Sequence, residues 1–86
     1  MPTYEIKLSR LAVKTLKKLP GQVSAHIFQK IKLLSSVPRP NGVKKLVGYS
    51  STYRIRAGNY RVVYEIHDDV LTILIVEVGH RKDIYR

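Results

Sequence analysis

Residues 52–66 read TYRIRAGNYRVVYEI, and the fold turns on how this stretch is registered. Polar and apolar residues alternate on both sides of Gly58-Asn59, which predicts two strands joined by a two-residue turn of the kind hairpins favour. With that turn Ala57 lies opposite Tyr60, Arg56 opposite Arg61 and Arg54 opposite Val63. Successive side chains point to opposite sides of a sheet. Tyr53, Ile55, Ala57, Tyr60, Val62 and Tyr64 therefore share one face, which suits a core, and Arg54, Arg56 and Arg61 share the other. A slip of one residue would exchange the two faces. Opposing Arg56 and Arg61 costs a sheet some stability, and Glu65 is the one acid close by in sequence. Forked guanidinium groups held on one rigid face are a good receptor for phosphate oxygens.

Downstream, HDD (67–69) predicts a turn, and VLTILIVEVG (70–79) is apolar on both faces, as a central strand is. If that strand pairs with residues 60–67, its far end lies beside residues 60–62. The closing GHRKDIYR (79–86) then leaves the sheet next to Arg61 and Arg56, and its cations can join theirs around one anion.

Upstream, VPRPNG (37–42) reads as a loop. Before it, Val23, Ile27, Ile31 and Leu34 keep helical spacing, with Phe28 beside them, over a helix from about Gln22 to Ser36. Pro20-Gly21 separates this helix from an earlier one that Ser9 can cap and that runs through Leu19. In the earlier helix Ala12, Leu16 and Leu19 share a face, while Lys14, Lys17 and Lys18 fall mostly elsewhere. TYEIKL (3–8) alternates as a strand does. The order β-α-α-β-β-β predicts a single α+β domain over residues 1–86, a two-helix hairpin packed on a mostly antiparallel four-stranded sheet.

Composition narrows the function. Sixteen Lys and Arg against six Asp and Glu give a formal charge of +10, which favours a polyanionic partner. The absence of cysteine excludes disulfides and thiolate metal sites. No window approaches the ~20 apolar residues of a membrane span, and the N-terminus lacks an apolar secretory core. A cytoplasmic protein with no membrane association is expected. No carboxylate pair or metal-ligand cluster stands out, so neither a metal nor another cofactor is expected.

The ordered combination of KKLVG (44–48), YRIR (53–56), GNYRVVYEI (58–66) and VEVGHRKDIY (76–85) resembles the RelE/ParE superfamily of toxins from type II toxin–antitoxin systems. The resemblance spans nearly the whole chain and implies the RelE-like microbial RNase fold. It also implies partners: an acidic cognate antitoxin, the ribosome and mRNA. The RelE-like branch cleaves mRNA in the ribosomal A site, whereas the ParE-like branch inhibits DNA gyrase without being a nuclease. RelE-like enzymes use basic residues on the hairpin, an Arg on the following strand, and an Arg and a Tyr near the C-terminus. Those positions match Arg54 and Arg56, Arg61, Arg81 and Tyr85.

The implied chemistry is attack of a ribose 2′-OH on the adjacent phosphodiester, giving a 2′,3′-cyclic phosphate. Arg56 and Arg61 would clamp the phosphorane with Arg54 in support, Arg81 would serve the leaving oxygen, and Tyr85 would stack on a base or orient the 2′-OH. His80, Lys82, Lys44 and Lys45 complete the expected RNA-binding set. Relatives often carry Lys where this chain has Arg54 and Arg56, and an arginine does not give up its proton. The general base is therefore left open, with His80 a candidate by its ordinary pKa. Two alternatives also stay open: a gyrase inhibitor on the same fold, and a basic RNA- or ribosome-binding module without catalysis.

Overall fold

A computed structural model describes residues 3–80. Its elements are β1 (Glu5–Leu8), α1 (Arg10–Lys18), α2 (Gly21–Leu34), β2 (Lys44–Lys45), β3 (Thr52–Ala57), β4 (Tyr60–His67), a 3-10 turn (Asp68–Val70) and β5 (Thr72–His80). The strands form one sheet in the order β1-β5-β4-β3-β2, with β1 parallel to β5 and the other pairs antiparallel. The α+β class and the helical hairpin agree with the sequence reading. The sheet has five strands rather than four, because Lys44 and Lys45 pair with Arg54 and Tyr53 as a two-residue edge strand. A strand that short carries too little periodicity to be recognised from sequence.

The helix boundaries follow from their caps. Ser9 Oγ accepts a bond of 3.0 Å from the Ala12 N–H and so caps α1, as expected. The same hydroxyl donates to the Val76 carbonyl at 2.6 Å, which ties the start of α1 to β5. Pro20 stands at the N-cap of α2. At the other end of α2, Ser35 Oγ donates to the Tyr4 carbonyl at 2.7 Å and the Tyr4 N–H donates to the Ser35 carbonyl at 2.8 Å.

The hairpin has the register read from its turn: Ala57 opposite Tyr60, Arg56 opposite Arg61 and Arg54 opposite Val63. Gly58 alone in that turn takes a positive φ, of 63°, as a type II′ turn requires of its first central residue. Ile55, Ala57, Val62 and Tyr64 are buried beneath the helices together with Ala12, Leu16, Ile27, Ile31 and Leu34. Each fully buried aliphatic side chain of this set stabilises the fold by about 1.5–3 kcal/mol before entropy is counted.

Strand β5 breaks the alternation once. Val63 pairs with Glu77 but Tyr64 pairs with Ile75, so Val76 is an extra residue, a β-bulge. Its carbonyl is the one Ser9 takes. Ile73 and Ile75 point into the core, and strict alternation would send Glu77 after them. The bulge resets the phase, so Val78 goes inward and Glu77 falls beside Val63 on the other face. The strand also begins two residues later than expected, after Leu71 closes the preceding turn with a φ of 47°.

Candidate nucleic-acid interface

Both helices lie on one face of the sheet, and the arginines lie on the other. Reading across paired strands gives two rows on that open face. One is Lys44, Arg54, Val63 and Glu77; the other, nearer the hairpin tip, is Arg56, Arg61 and Gly79. Among the described residues the tip row therefore holds two guanidinium groups, since Gly79 brings no side chain. Arg56 is exposed, while Arg54 and Arg61 are half-buried. Further from the tip lie Glu65, opposite Leu74, and His67, opposite Thr72. The Glu65 carboxylate is bonded to His67 Nε2 at 2.9 Å, so the acid nearest the arginines in sequence already has a partner.

The structure brings together Arg54, Arg56, Arg61 and Lys44 on this face. It does not bring all the expected residues there. Lys45 pairs with Tyr53 and so falls on the helix-side face at the sheet edge. His80 pairs with Tyr60, whose side is that of Val62 and Tyr64, and the two rings meet edge to face at 5.5 Å. The bulge at Val76 causes this, since unbroken alternation from Ile75 would have put His80 among the arginines. Arg81, Lys82 and Tyr85 lie outside the described residues.

Two features escaped the sequence reading. Glu77 stands in the row of Arg54, and no sequence signal separates it from the apolar strand around it without the bulge. The second lies at the opposite end of the sheet. There Arg39 donates from Nη2 to Asp68 at 3.0 Å and from Nε to the Tyr53 hydroxyl at 3.2 Å, and the Tyr4 hydroxyl donates to the other Asp68 oxygen. The Tyr4 hydroxyl, and after it Arg39, hold the Asp68 carboxyl below its ordinary pKa. Burial pushes the Tyr64 phenol up, and its hydroxyl donates to the Pro38 carbonyl at 2.8 Å. This network pins the loop after α2 to the sheet, far from the tip arginines, and has a structural role.

Among the described residues no three His, Asp or Glu side chains converge as a metal site, and no helix is long and apolar enough to cross a membrane. The open face offers fixed positive charge on a rigid sheet.

A two-helix hairpin over a mixed sheet is the fold of the small toxins of type II toxin–antitoxin systems. The family described as "ParE toxin of type II toxin-antitoxin system, parDE" matches residues 6–85. Toxin RelE3 of Methanocaldococcus jannaschii is 37% identical over 94% of each chain. The mRNA interferase toxin RelE of Escherichia coli K12 is 28% identical over 92% of this chain and 84% of its own. The archaeal RelE–RelB complex from Pyrococcus horikoshii superposes with a TM-score of 0.83 at 30% identity, covering 94% of this chain and 98% of that one. The intact E. coli RelBE toxin–antitoxin complex does so with a TM-score of 0.78 at 28% identity, covering 90% and 95%. The chain belongs to the RelE/ParE superfamily of type II toxins, in its RelE-like branch.

Proposed function

We propose that this protein is an mRNA interferase, a ribosome-dependent endoribonuclease that stops translation by cutting mRNA in the A site. The observation that carries the reading is the tip row, where Arg56 and Arg61 face the same side across the hairpin. The names of the relatives agree with it. A scissile phosphate seated between the two guanidinium groups gains charge as the phosphorane forms. Preorganised cations stabilise that state more than the ground state, which is where most such catalysis comes from.

The reaction balances as follows. The 2′-OH loses its proton to a base, O2′ bonds to phosphorus, the bond to O5′ breaks, and O5′ takes a proton. The products are a 2′,3′-cyclic phosphate and a 5′-hydroxyl, and no metal ion enters. Arg54 and Lys44 hold flanking phosphates, with Lys45 and Lys82 as peripheral contacts. Arg81 serves the leaving oxygen and Tyr85 stacks on a base. His80, directed at Tyr60, is not assigned the role of base.

An acidic antitoxin is the proposed inhibitory partner. An apolar groove of about 540 Å³ between β1 and α2, lined by Ile6, Leu8, Ala25, Phe28 and Ile31 and edged by Lys32, suits an amphipathic acidic segment. The test is translation in a purified system with primer extension on the mRNA. Cuts within the A-site codon, leaving ends that need cyclic-phosphate removal before ligation, are expected. Intact mRNA together with inhibited gyrase supercoiling would replace this reading with the ParE-like one.

A further inference from the structure

We infer that Glu77 is the general base of the proposed reaction, the group that takes the proton of the attacking 2′-OH. The inference rests on the mRNA-interferase reading above, which needs a base and assigns none. Arg54, Arg56 and Arg61 cannot supply it, since a guanidinium keeps its proton. His80 meets the Tyr60 ring on the helix side. Glu65 is bonded to His67 at 2.9 Å. Glu5, Asp68 and Asp69 stand at the other end of the sheet, around Thr72. Glu77 is half-buried and pairs across the strands with Val63. Among the described residues it makes no ion pair; the ion pairs there are Arg39–Asp68 and His67–Glu65.

The bulge at Val76 puts Glu77 on the uncovered face. Val62 and Val78 pair and are both buried, so Glu77, one residue before Val78, turns to the other side and joins the row of Arg54. Its neighbour toward the hairpin tip is Arg61, which pairs with Gly79 two residues further along β5. Such diagonal neighbours stand about 7–8 Å apart, close enough for two long side chains to meet one ligand. A ribose oxygen aligned for attack lies about 3–3.5 Å from the phosphorus. A phosphate held on the tip row therefore sets its 2′-OH within range of a side chain from the next row, where a base must approach to about 2.6–3.2 Å.

A carboxylate among phosphate-binding cations works against binding, because it repels the phosphates and weakens the field that holds them. Acids are scarce around these rows: residues 6–64 contain no Asp or Glu, yet hold thirteen of the sixteen Lys and Arg. An acid in the row of Arg54 is accounted for by the proton it accepts. In the step, O2′ gives its proton to a Glu77 carboxylate oxygen as the bond from O2′ to phosphorus forms. The bond from phosphorus to O5′ breaks with its electron pair on O5′, which takes a proton from water. The Glu77 carboxylic acid then returns its proton to solvent.

The experiment compares the full-length wild type with E77Q, E77D and D83N on ribosomes programmed with mRNA. Single-turnover cleavage is measured at saturating toxin over a pH series. Affinity is measured on an mRNA made uncleavable by a 2′-deoxy substitution in the A-site codon, and a thermal melt checks folding. E77Q should cleave about 10²–10⁴-fold more slowly, yet bind the uncleavable complex as tightly as wild type or more tightly. The wild-type rate should climb with pH on the acid side and then level. That climb should vanish in E77Q and persist in E77D, which keeps part of the rate. A folded E77Q that cuts as fast as wild type, or faster, would overturn the inference and leave Glu77 as a charge that only hinders binding. Slow cleavage with the acid-side climb intact would overturn it too, since Glu77 would then position the substrate without taking its proton. Loss of the climb in D83N but not in E77Q would move the base to Asp83. If the wild type cuts no mRNA on ribosomes, the mRNA-interferase reading itself fails, an outcome distinct from a wild type and an E77Q that cut alike.

Discussion

The two faces of the β3–β4 hairpin are built from the same fifteen residues, 52–66, and answer to different physics. On the helix side Ile55, Ala57, Val62 and Tyr64 are buried, and their identities are set by packing. On the uncovered side Arg54, Arg56 and Arg61 gather like charge that the sheet would be steadier without. A residue in the first set serves the fold whatever the protein does. A residue in the second is one that the proposed RNA substrate would use. The contrast teaches that in so small a domain a strand can hold the core with alternate apolar positions and a charged face with the positions between them, provided register is fixed.

Val62→Asp attacks the helix-side face and should have the largest effect. Val62 is fully buried, and burying an unpaired carboxylate is among the costliest changes a fold can suffer. The expected result is loss of a cooperative thermal transition; a normal melt would show that this face is not the core. Ile73→Ala tests the helix-side face. Ile73 is fully buried, so the unfolding free energy in denaturant should drop by about 2–5 kcal/mol, while cleavage per folded molecule stays near wild type.

Arg61→Ala tests the uncovered face and should give the reverse pattern. Losing one clamp on the phosphorane should slow cleavage by about 10²–10³, equivalent to about 2.7–4 kcal/mol in the transition state. Stability should change by about 1 kcal/mol or less. If the melt collapses and the rate per folded molecule does not, Arg61 belongs to the structure and the division between faces is wrong.

Asp68→Asn should have the smallest effect and touches neither face of the site. The Asp68 carboxyl is held below its ordinary value near 3.8 by Tyr4 and Arg39. A depressed folded pKa gives stability that is present above the unfolded value and lost as pH falls through the folded one. The variant should therefore melt slightly lower than wild type at pH 6, with the gap closing toward pH 3. Cleavage at neutral pH should be unchanged, and a gap that widens in acid would contradict the assignment.

Much of this was legible in the chain. The alternation around Gly58-Asn59 was enough to place Arg54, Arg56 and Arg61 together, because a two-residue turn leaves one register and register fixes faces. Ser9, Pro20-Gly21 and the spacing of Ile27, Ile31 and Leu34 located the helices through local chemistry, with α2 ending at Leu34 rather than Ser36. These features depend on residues close in sequence. What was not legible depends on partners far away. Lys44 and Lys45 become a strand only because β3 offers an edge. Asp68 and Arg39 meet across 29 residues of chain. The bulge at Val76 exists because its carbonyl finds Ser9, 67 residues earlier, and that contact turns His80 from the arginines to Tyr60. The sequence by itself determined the class of fold, the charge and the arginine face, since periodicity and composition are local properties. Only the tertiary structure decided the phase of the last strand, and with it which of the closing residues share that face, because a bulge is a choice between two pairings that differ in distant hydrogen bonds and not in local preference.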